Sequence, residues 1–297
     1  MSLFKKKRIV TAQPGGGHFR DVCRNFVRNR IALAALIVLT VIVLLAVFAD
    51  VIADYNGVAL KQDPKLRLQT ASAEHWLGTD NYGRDLFARI IHGARYSLIF
   101  GVGCTALSLS IGCVLGATTA YYGGKLDAIV MRFLDTVMCI PSLLLALTIV
   151  AVCGSGLRSL TIAITVASVP GFTRMVRSVV LSVTTQDFIE AARSCGAKDS
   201  AIIFGHILPN AIGPIIVNCM MNIAGIIMTA AGLSYLGMGI KPPAPEWGSM
   251  LSEGMQIFRK YPHVALSAGV AIMVTALCFN LVGDGLADAI DPKRRDR

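Results

Sequence analysis

Charged residues are scarce in this 297-residue sequence. Asp, Glu, Lys and Arg together make up 15% of it, whereas they account for about 25% of a typical soluble domain. Apolar residues make up 54%, so the chain lacks the polar side chains needed to cover a soluble globule of its size. This composition excludes a soluble enzyme, a disordered chain and a nucleic-acid-binding domain. We therefore predict a polytopic membrane protein that has no nucleic-acid partner.

Sequence motifs for enzyme chemistry are also missing. None of the eight cysteines forms a C-x-x-C pair. Most of them lie within or beside apolar runs, where a thiol acts as a small apolar group. We therefore predict neither a disulfide nor a metal site. There is no G-x-x-x-x-G-K-S/T phosphate loop, so the chain cannot hydrolyse ATP by itself. We expect no enzyme activity and no cofactor.

The placement of His and Asp residues disfavours an intramembrane protease. No histidine lies within an apolar run, which leaves a serine protease without its base. Asp135 and Asp284 lie near the ends of two apolar runs, and Arg132, three residues before Asp135, is expected to neutralise it. The centres of the runs carry essentially no charge, which argues against a proton- or ion-driven transporter. A stand-alone channel or secondary carrier stays open as the alternative class.

Six stretches of the sequence are long and apolar enough to cross a bilayer, which requires about 20 residues. They are predicted at residues 31–52, 97–122, 133–152, 157–176, 211–238 and 264–283. Six spans place both termini on the same side of the membrane. With the termini inside, eighteen of the 28 Lys and Arg residues fall on the inner side and ten on the outer side. This excess of positive charge predicts that both termini are cytoplasmic.

The two terminal segments are rich in basic residues. Residues 1–30 are predicted to form a cytoplasmic basic tail, and residues 286–297 a second cytoplasmic tail. Within the first, apolar residues recur at helical spacing between Phe19 and Val27, and arginines recur on the opposite face. This pattern predicts a basic amphipathic helix that lies on the inner leaflet of the bilayer.

Residues 53–96 are predicted to form an external loop that ends in an interfacial helix over residues 83–96. Four residues of this loop have side chains that can bind metals, but two glycines among them favour turns, so we do not predict a metal site. The four residues are His75, Asp80, Asp85 and His92. A second outer loop, residues 240–262, contains Trp247, which suits the membrane interface.

Uncharged polar residues are the ones that remain deep within the predicted spans. Asn218 and Asn222 lie one helical turn apart in the fifth span, and Asn280 lies late in the sixth. They are candidates for lining a passage for a polar solute. The alternative is that they form hydrogen bonds between helices.

The predicted cytoplasmic loop over residues 177–210 has helical patterns of its own. Residues 187–195 are typical of a short helix, which Gly196 ends. Residues 198–206 are typical of a second short helix, after which Pro209 and Pro214 are expected to redirect the chain into the fifth span. Two short helices that expose small and apolar residues to the cytosol predict a docking site for a partner protein.

The same loop carries a resemblance to a known family. Glu190-Ala191-Ala192, Gly196 and Leu208-Pro209 resemble the EAA–G–LP motif of ABC-importer membrane subunits. Other stretches resemble the second permease subunit of dipeptide, oligopeptide, nickel or glutathione importers, and together they extend from about Arg20 to Lys293. They include His75-Trp76-Leu77-Gly78-Thr79-Asp80, Pro141-Ser142-Leu143-Leu144, Pro245-Glu246-Trp247-Gly248 and Gly283-Asp284-Gly285.

The resemblance implies an all-α membrane protein with a five-span MetI-like core, residues 97–285, and one additional N-terminal span. It implies that six residues couple the chain to its ATPases: Glu190, Ala191, Ala192, Gly196, Leu208 and Pro209. The implied partners are a homologous second permease, two ABC ATPase subunits and an external solute-binding protein in a bacterial inner membrane. The implied substrate is a di- or oligopeptide, with nickel and glutathione as alternatives. Trp247 and its loop would contact the binding protein, cap the passage, or only pack.

Overall fold

Helices make up most of the described chain, which in this computed structural model comprises residues 17–290, with side chains from Arg20 onward. The basic segment predicted before Gly17 and the last seven residues of the predicted C-terminal tail lie outside the described residues. Among the described residues there is no strand, and a single bridge joins Thr79 to Asp85. The predicted all-helical fold therefore agrees with the structure.

The α-helices of the described residues are α1 (Gly17–Arg28), α2 (Arg30–Val47), α3 (Ala49–Ile52), α4 (Leu86–Tyr122), α5 (Gly124–Met138), α6 (Ser142–Cys153), α7 (Leu157–Thr184), α8 (Asp187–Ser194), α9 (Asp199–Ile202), α10 (Leu208–Tyr235), α11 (Trp247–Met255) and α12 (Pro262–Ile290). Short turns of π-helix at Tyr55–Ala59 and Ile203–Ile207, and of 3-10 helix at Pro64–Leu66, lie between them.

Within the described part of the chain, five helices are long and apolar enough to cross a membrane. They are α2, α4, α7, α12 and the continuous stretch Asp199–Tyr235. The pair α5 and α6 brings the number to six if it counts as one bent span, because the two helices meet at an angle of 81°. The third span predicted over residues 133–152 falls on this bent pair, and its bend was not predicted. Pro141 lacks a backbone N–H and disfavours a helical conformation at Ile140, which explains the break.

The packing of α4 against α7 is close because α4 presents glycines to it. A Cβ atom at Gly112 would lie 2.8 Å from the Cβ of Phe172, and one at Gly116 would lie 2.6 Å from the carbonyl oxygen of Thr173. Phe172 itself is buried. Small residues at four-residue spacing let two helix backbones approach each other in a membrane.

The interfacial helix predicted over residues 83–96 is not a separate element. The chain is instead one helix from Leu86 to Tyr122, and Asp85 caps it by accepting a hydrogen bond from the N–H of Ala88 at 2.7 Å. The first turns of α4 are buried in a cluster with Trp247, and Gly93 provides the room, since a Cβ there would lie 2.7 Å from the Trp247 ring. No proline interrupts this helix.

The N-terminal helix α1 packs against protein with part of its apolar face. Phe26 is buried in a cluster with residues of α2 and α12, and Val22 packs at its edge. Gly285 on α12 leaves room for the ring of Phe26, which would lie 3.1 Å from a Cβ at that position. Val27 is 57% exposed, so only a part of the apolar face predicted to lie on the inner leaflet is free to contact lipid.

Candidate functional site

The two ends of the helix bundle carry different kinds of structure. We call the end that carries α8, α9 and the turn Ile203–Ile207 the coupling end. The end that carries residues 53–85 and α11 is called the opposite end. The residues expected to couple the chain to an ATPase all lie at the coupling end.

Helix α8 presents part of the Glu190-Ala191-Ala192 sequence to solvent. Ile189, 1% exposed, anchors α8 in the core. Glu190 and Ala191 are exposed on the other side, whereas Ala192 is half-buried and packs against the core. The three residues are therefore not equivalent, because Glu190 and Ala191 are free to contact a partner and Ala192 mainly supports the helix.

Gly196 ends α8 in a conformation that favours glycine. Its φ angle is +77°, in the left-handed region. The N–H of Ala197 donates to the carbonyl of Ala192 at 3.2 Å, and the N–H of Gly196 donates to that of Arg193 at 3.0 Å. These bonds satisfy carbonyls that a helix end otherwise leaves free. A Cβ at Gly196 would meet no atom within 4 Å, so there is room for a side chain. The glycine is favoured because of its left-handed backbone conformation.

The second helical segment continues into α10 without the redirection expected at Pro209. A π-helical turn, Ile203–Ile207, joins α9 to α10. Pro209 lies in the first turn of α10, where the missing N–H costs least, and its side chain is exposed. Leu208 is half-buried against the core. The prediction of a separate second short helix was therefore wrong.

Two phenylalanines at the coupling end point to solvent. Phe204 is 69% exposed and Phe188 is 38% exposed, although the isoleucines between and beside them are buried. Large apolar side chains exposed at this end of the bundle add to the surface available for a protein partner.

Tyr121 connects the coupling helices to the end of α4, and sequence reasoning missed it. Its hydroxyl donates a hydrogen bond to the Asp199 carboxylate at 2.8 Å. The guanidinium of Arg193 lies over its ring, 5.2 Å from the centroid. The only available signal was an aromatic residue at a predicted span end, which says nothing about these partners.

Two ion pairs hold α5 to α7 near the coupling end. Arg177 donates from Nε and a terminal nitrogen to the two carboxylate oxygens of Asp127, each at 2.6 Å. Asp135 pairs with Arg174 of α7. The expected partner of Asp135 was Arg132 on the same helix, so that prediction was wrong. The charge comes from a neighbouring helix that no sequence spacing identifies.

The candidate passage residues do not all lie together. Asn222 lines a cavity of about 320 Å³ at the break between α5 and α6, where Ser142 and Ser168 also contribute. Asn218 is one turn away on α10, whereas Asn280 is exposed on α12 and is not among the residues that line this cavity. The amides of Asn218 and Asn222 donate to carbonyls one turn earlier on α10, at 2.9 and 2.7 Å, and not to another helix.

Trp247 is buried at the opposite end. It is 1% exposed, and its indole N–H donates to the carbonyl of Ile90 at 2.9 Å. Glu246 caps α11 by accepting from the N–H groups of Gly248 and Ser249, at 2.9 and 2.8 Å. Burial raises the pKa of the Glu246 carboxyl above its ordinary value, and these two N–H groups oppose that shift. The Trp247 side chain itself packs against α4, through its hydrogen bond to Ile90 and its contact with Gly93.

A network of buried charges also lies at the opposite end. Arg84 bonds to Asp80 at 2.6 Å and to Glu253 of α11 at 2.9 Å. Arg89 lies 3.5 Å from Asp80 and donates to the carbonyl of Pro243 at 3.3 Å. The network ties the segment before α4 to α11.

The four residues considered as metal ligands have other partners. The ring of His75 hydrogen-bonds Asp85 at 2.8 Å, and the ring of His92 hydrogen-bonds the carbonyl of Ala53 at 2.7 Å. Asp80 belongs to the network of Arg84. Within residues 17–290, no three His, Cys, Asp or Glu residues are grouped so that they would hold a metal ion.

Comparison with known proteins extends over nearly all of the chain. Residues 108–296 match the family described as binding-protein-dependent transport system inner membrane component. Residues 18–70 match the N-terminal TM domain of oligopeptide transport permease C.

Individual relatives and a solved structure agree with this assignment. The chain is 42% identical to the dipeptide transport system permease protein DppC of Alkalihalophilus pseudofirmus, over 93% of this chain and 90% of that protein. It is also 42% identical to the glutathione transport system permease protein GsiD of Pectobacterium atrosepticum, over 93% and 91%. A chain of the inward-facing MetNI methionine ABC transporter superposes with a TM-score of 0.59 at 20% identity, over 68% of this chain and 96% of that one.

These findings confirm the family that the EAA–G–LP motif indicated and the MetI-like fold of the core. The chain therefore belongs to the binding-protein-dependent transport system inner membrane components and is a permease subunit of an ABC importer.

Proposed function

We propose that this chain forms half of a passage that imports di- or oligopeptides and that α8 couples it to an ATPase subunit. The single observation that carries the coupling role is the exposure of Glu190 and Ala191 on a helix that Ile189 anchors in the core. An anchored helix with an exposed small residue suits a groove on a partner, because a small side chain permits close approach.

Contacts between α8 and α4 would transmit a movement of α8 to the helix bundle. Arg193 of α8 stacks on Tyr121 of α4, and Tyr121 also bonds Asp199. An ATPase that pulls α8 would therefore also pull on the end of α4. Alternating access then follows when the two ATPases close on ATP and draw the coupling helices of the two permeases together.

The proposed assembly contains a homologous second permease, two ABC ATPases and an external solute-binding protein. We place the coupling end and both termini in the cytoplasm of a bacterial cell, with the opposite end outside the inner membrane. Large apolar side chains on α5 and α6 are available to the second permease. Ile129 is 70% exposed, Phe133 67% and Leu144 53%.

The proposed passage runs beside the break between α5 and α6. Asn222, Ser142 and Ser168 offer amide and hydroxyl groups to a polar solute there. Asn218 is a second contact on the same helix, and Asn280 has the weakest support because it lies away from this cavity.

Peptides are the proposed substrates because the two relatives named above transport a dipeptide and glutathione, itself a small peptide. Glutathione and nickel complexes are the alternatives. Uptake of labelled dipeptide, glutathione and nickel by cells that carry the complete transporter separates the three.

The coupling role is tested by Ala191→Trp in the same uptake assay. We expect uptake to be lost while the amount of chain in the membrane stays unchanged, because the larger side chain blocks docking without touching the core. Ala34→Trp, at an exposed position of α2, is the matched control and should transport normally. Normal uptake by Ala191→Trp at an equal amount of chain in the membrane would contradict the coupling role of α8.

A further inference from the structure

An apolar crevice lies between the N-terminal span and the rest of the molecule at the opposite end. Its volume is about 620 Å³. Ile42 and Leu45 of α2 form one wall, and Val270 and Val274 of α12 form another. Trp76 of the segment before α4 lies at its mouth. Neither the transport passage nor the coupling helices involve this crevice.

The crevice has the depth of one leaflet of a bilayer. On α12 its lining extends from His263 to Thr275, twelve residues that rise about 18 Å at 1.5 Å per residue. Half of a hydrocarbon core about 30 Å thick is about 15 Å. Both walls are helices that can cross a membrane, so the crevice begins near the membrane surface and ends near the middle of the bilayer.

Polar and basic groups lie at or just before the start of α12, where the lining of the crevice on that helix begins. The Nε2 atom of His263 is buried and has no hydrogen-bond partner among the described residues. Arg259 and Lys260 are exposed just before α12 begins. An amphipathic molecule with an apolar tail and a phosphate would therefore match both the apolar walls and the basic mouth.

Helix α2 buries few large side chains against the rest of the chain, so a bound amphipathic molecule would add to its contacts. The buried residues of α2 are Ala32, Ala35, Leu39 and Ala46, and three of these four are alanines that contribute little buried area. Beyond them, the two walls of the crevice stand apart. If the crevice were empty, the side chains that line it would lack van der Waals contacts on one side. A hydrocarbon chain in the crevice would supply those contacts.

We propose that the crevice binds one acyl chain of a phospholipid from the leaflet next to the opposite end, with its phosphate near Arg259 and Lys260. The lipid joins the N-terminal span to the MetI-like core. This site does not depend on the proposed substrate or on the proposed role of α8.

The experiment measures phospholipid that stays bound to the complete transporter after purification in mild detergent, by native mass spectrometry. We expect the wild-type complex to retain phospholipid and Ala271→Trp to retain several-fold less, since Ala271 lines the crevice. Met273→Trp is the matched control on the same helix, because Met273 is 60% exposed and is not part of the lining. Equal retention by wild type and Ala271→Trp overturns the proposal.

A second measurement covers the case in which Ala271→Trp does not assemble. A photoreactive amino acid at Val270 should form its main adduct with phospholipid in the assembled transporter. An adduct with another protein chain or with labelled peptide would show a different occupant and would overturn the proposal.

Discussion

The network around Arg84 at the opposite end and the Arg174–Asp135 pair near the coupling end differ in how far the protein buries them. At the opposite end, the side chains of Arg84, Asp80 and Arg89 are 2%, 4% and 1% exposed. At the coupling end, Arg174 and Asp135 are 44% and 51% exposed. Breaking the buried pair leaves an uncompensated charge inside the protein, whereas the charges of Arg174 and Asp135 lie at the surface of the chain.

The difference indicates which part of the molecule is fixed and which part can move. The buried network clamps α11 to the start of α4. Helix α5, by contrast, buries only Leu134. It begins at Gly124, and both Gly123 and Gly124 have positive φ angles. Exposed or partly exposed ion pairs tie it to α7. A rearrangement of α5 therefore breaks few contacts within this chain, and it would open or close the cavity beside Asn222.

The largest effect is expected when the buried network is broken. Arg84→Ala should lower the free energy of unfolding by about 3–5 kcal/mol, because Asp80 is left buried without its partner. Arg174→Ala should lower it by only about 0–1 kcal/mol. Thermal unfolding of the two purified variants in the same detergent measures both. Equal losses of stability in Arg84→Ala and Arg174→Ala would contradict the claim that the opposite end is held more firmly than the coupling end.

The next largest loss of stability is expected when the close packing of α4 against α7 is disturbed. Gly116→Ala should destabilise the protein by about 1–3 kcal/mol, because the new Cβ overlaps the Thr173 carbonyl. Gly103→Ala on the same helix should be neutral or stabilising, since it meets no atom within 4 Å. If the two variants unfold alike, α4 and α7 are not in close contact in the membrane.

A smaller effect is expected at Tyr121. Tyr121→Phe keeps the ring under Arg193 but removes the hydrogen bond to Asp199, which is worth about 0.5–1.5 kcal/mol. Hydrogen exchange of the backbone amides over residues 187–202 should become faster, with little change at the opposite end. Tyr122→Phe, at the exposed neighbouring position, is the control. Unchanged exchange in Tyr121→Phe would mean that α8 and α9 are held by the core alone.

A small effect is also expected at Arg177. Arg177→Gln should lower the free energy of unfolding by about 0.2–1 kcal/mol, since the pair with Asp127 is partly exposed. The difference from wild type should shrink at high salt, because salt screens exposed charges. A loss as large as that of Arg84→Ala would show that α5 is as firmly held as the opposite end.

Local features of this fold could be predicted from the sequence. Apolar runs locate the spans because each must cross the same thickness of hydrocarbon, and Gly196 is identified because its left-handed conformation is a local requirement. The bend at Pro141 was missed, since the residues on both sides of the proline are mostly apolar. Hydropathy cannot distinguish one straight span from two helices at 81°.

The features that were missed depend on pairs of residues far apart in the chain. Tyr121 and Asp199 are 78 residues apart, and Arg174 and Asp135 are 39 apart. The sequence places Arg84 in an external loop, and nothing in its neighbourhood indicates that it forms an ion pair with Glu253, 169 residues later. A single sequence contains no record of such contacts.

The most direct test of the account is to purify the chain from its native membrane in mild detergent, with and without Ala191→Trp, and to identify all retained chains by mass spectrometry. We predict that the wild-type chain retains P-loop ATPases and a second permease. The variant should keep the second permease and lose the ATPases, because only the surface of α8 has changed. Recovery of the wild-type chain alone, or equal retention of ATPases by both proteins, would contradict the proposed role of α8.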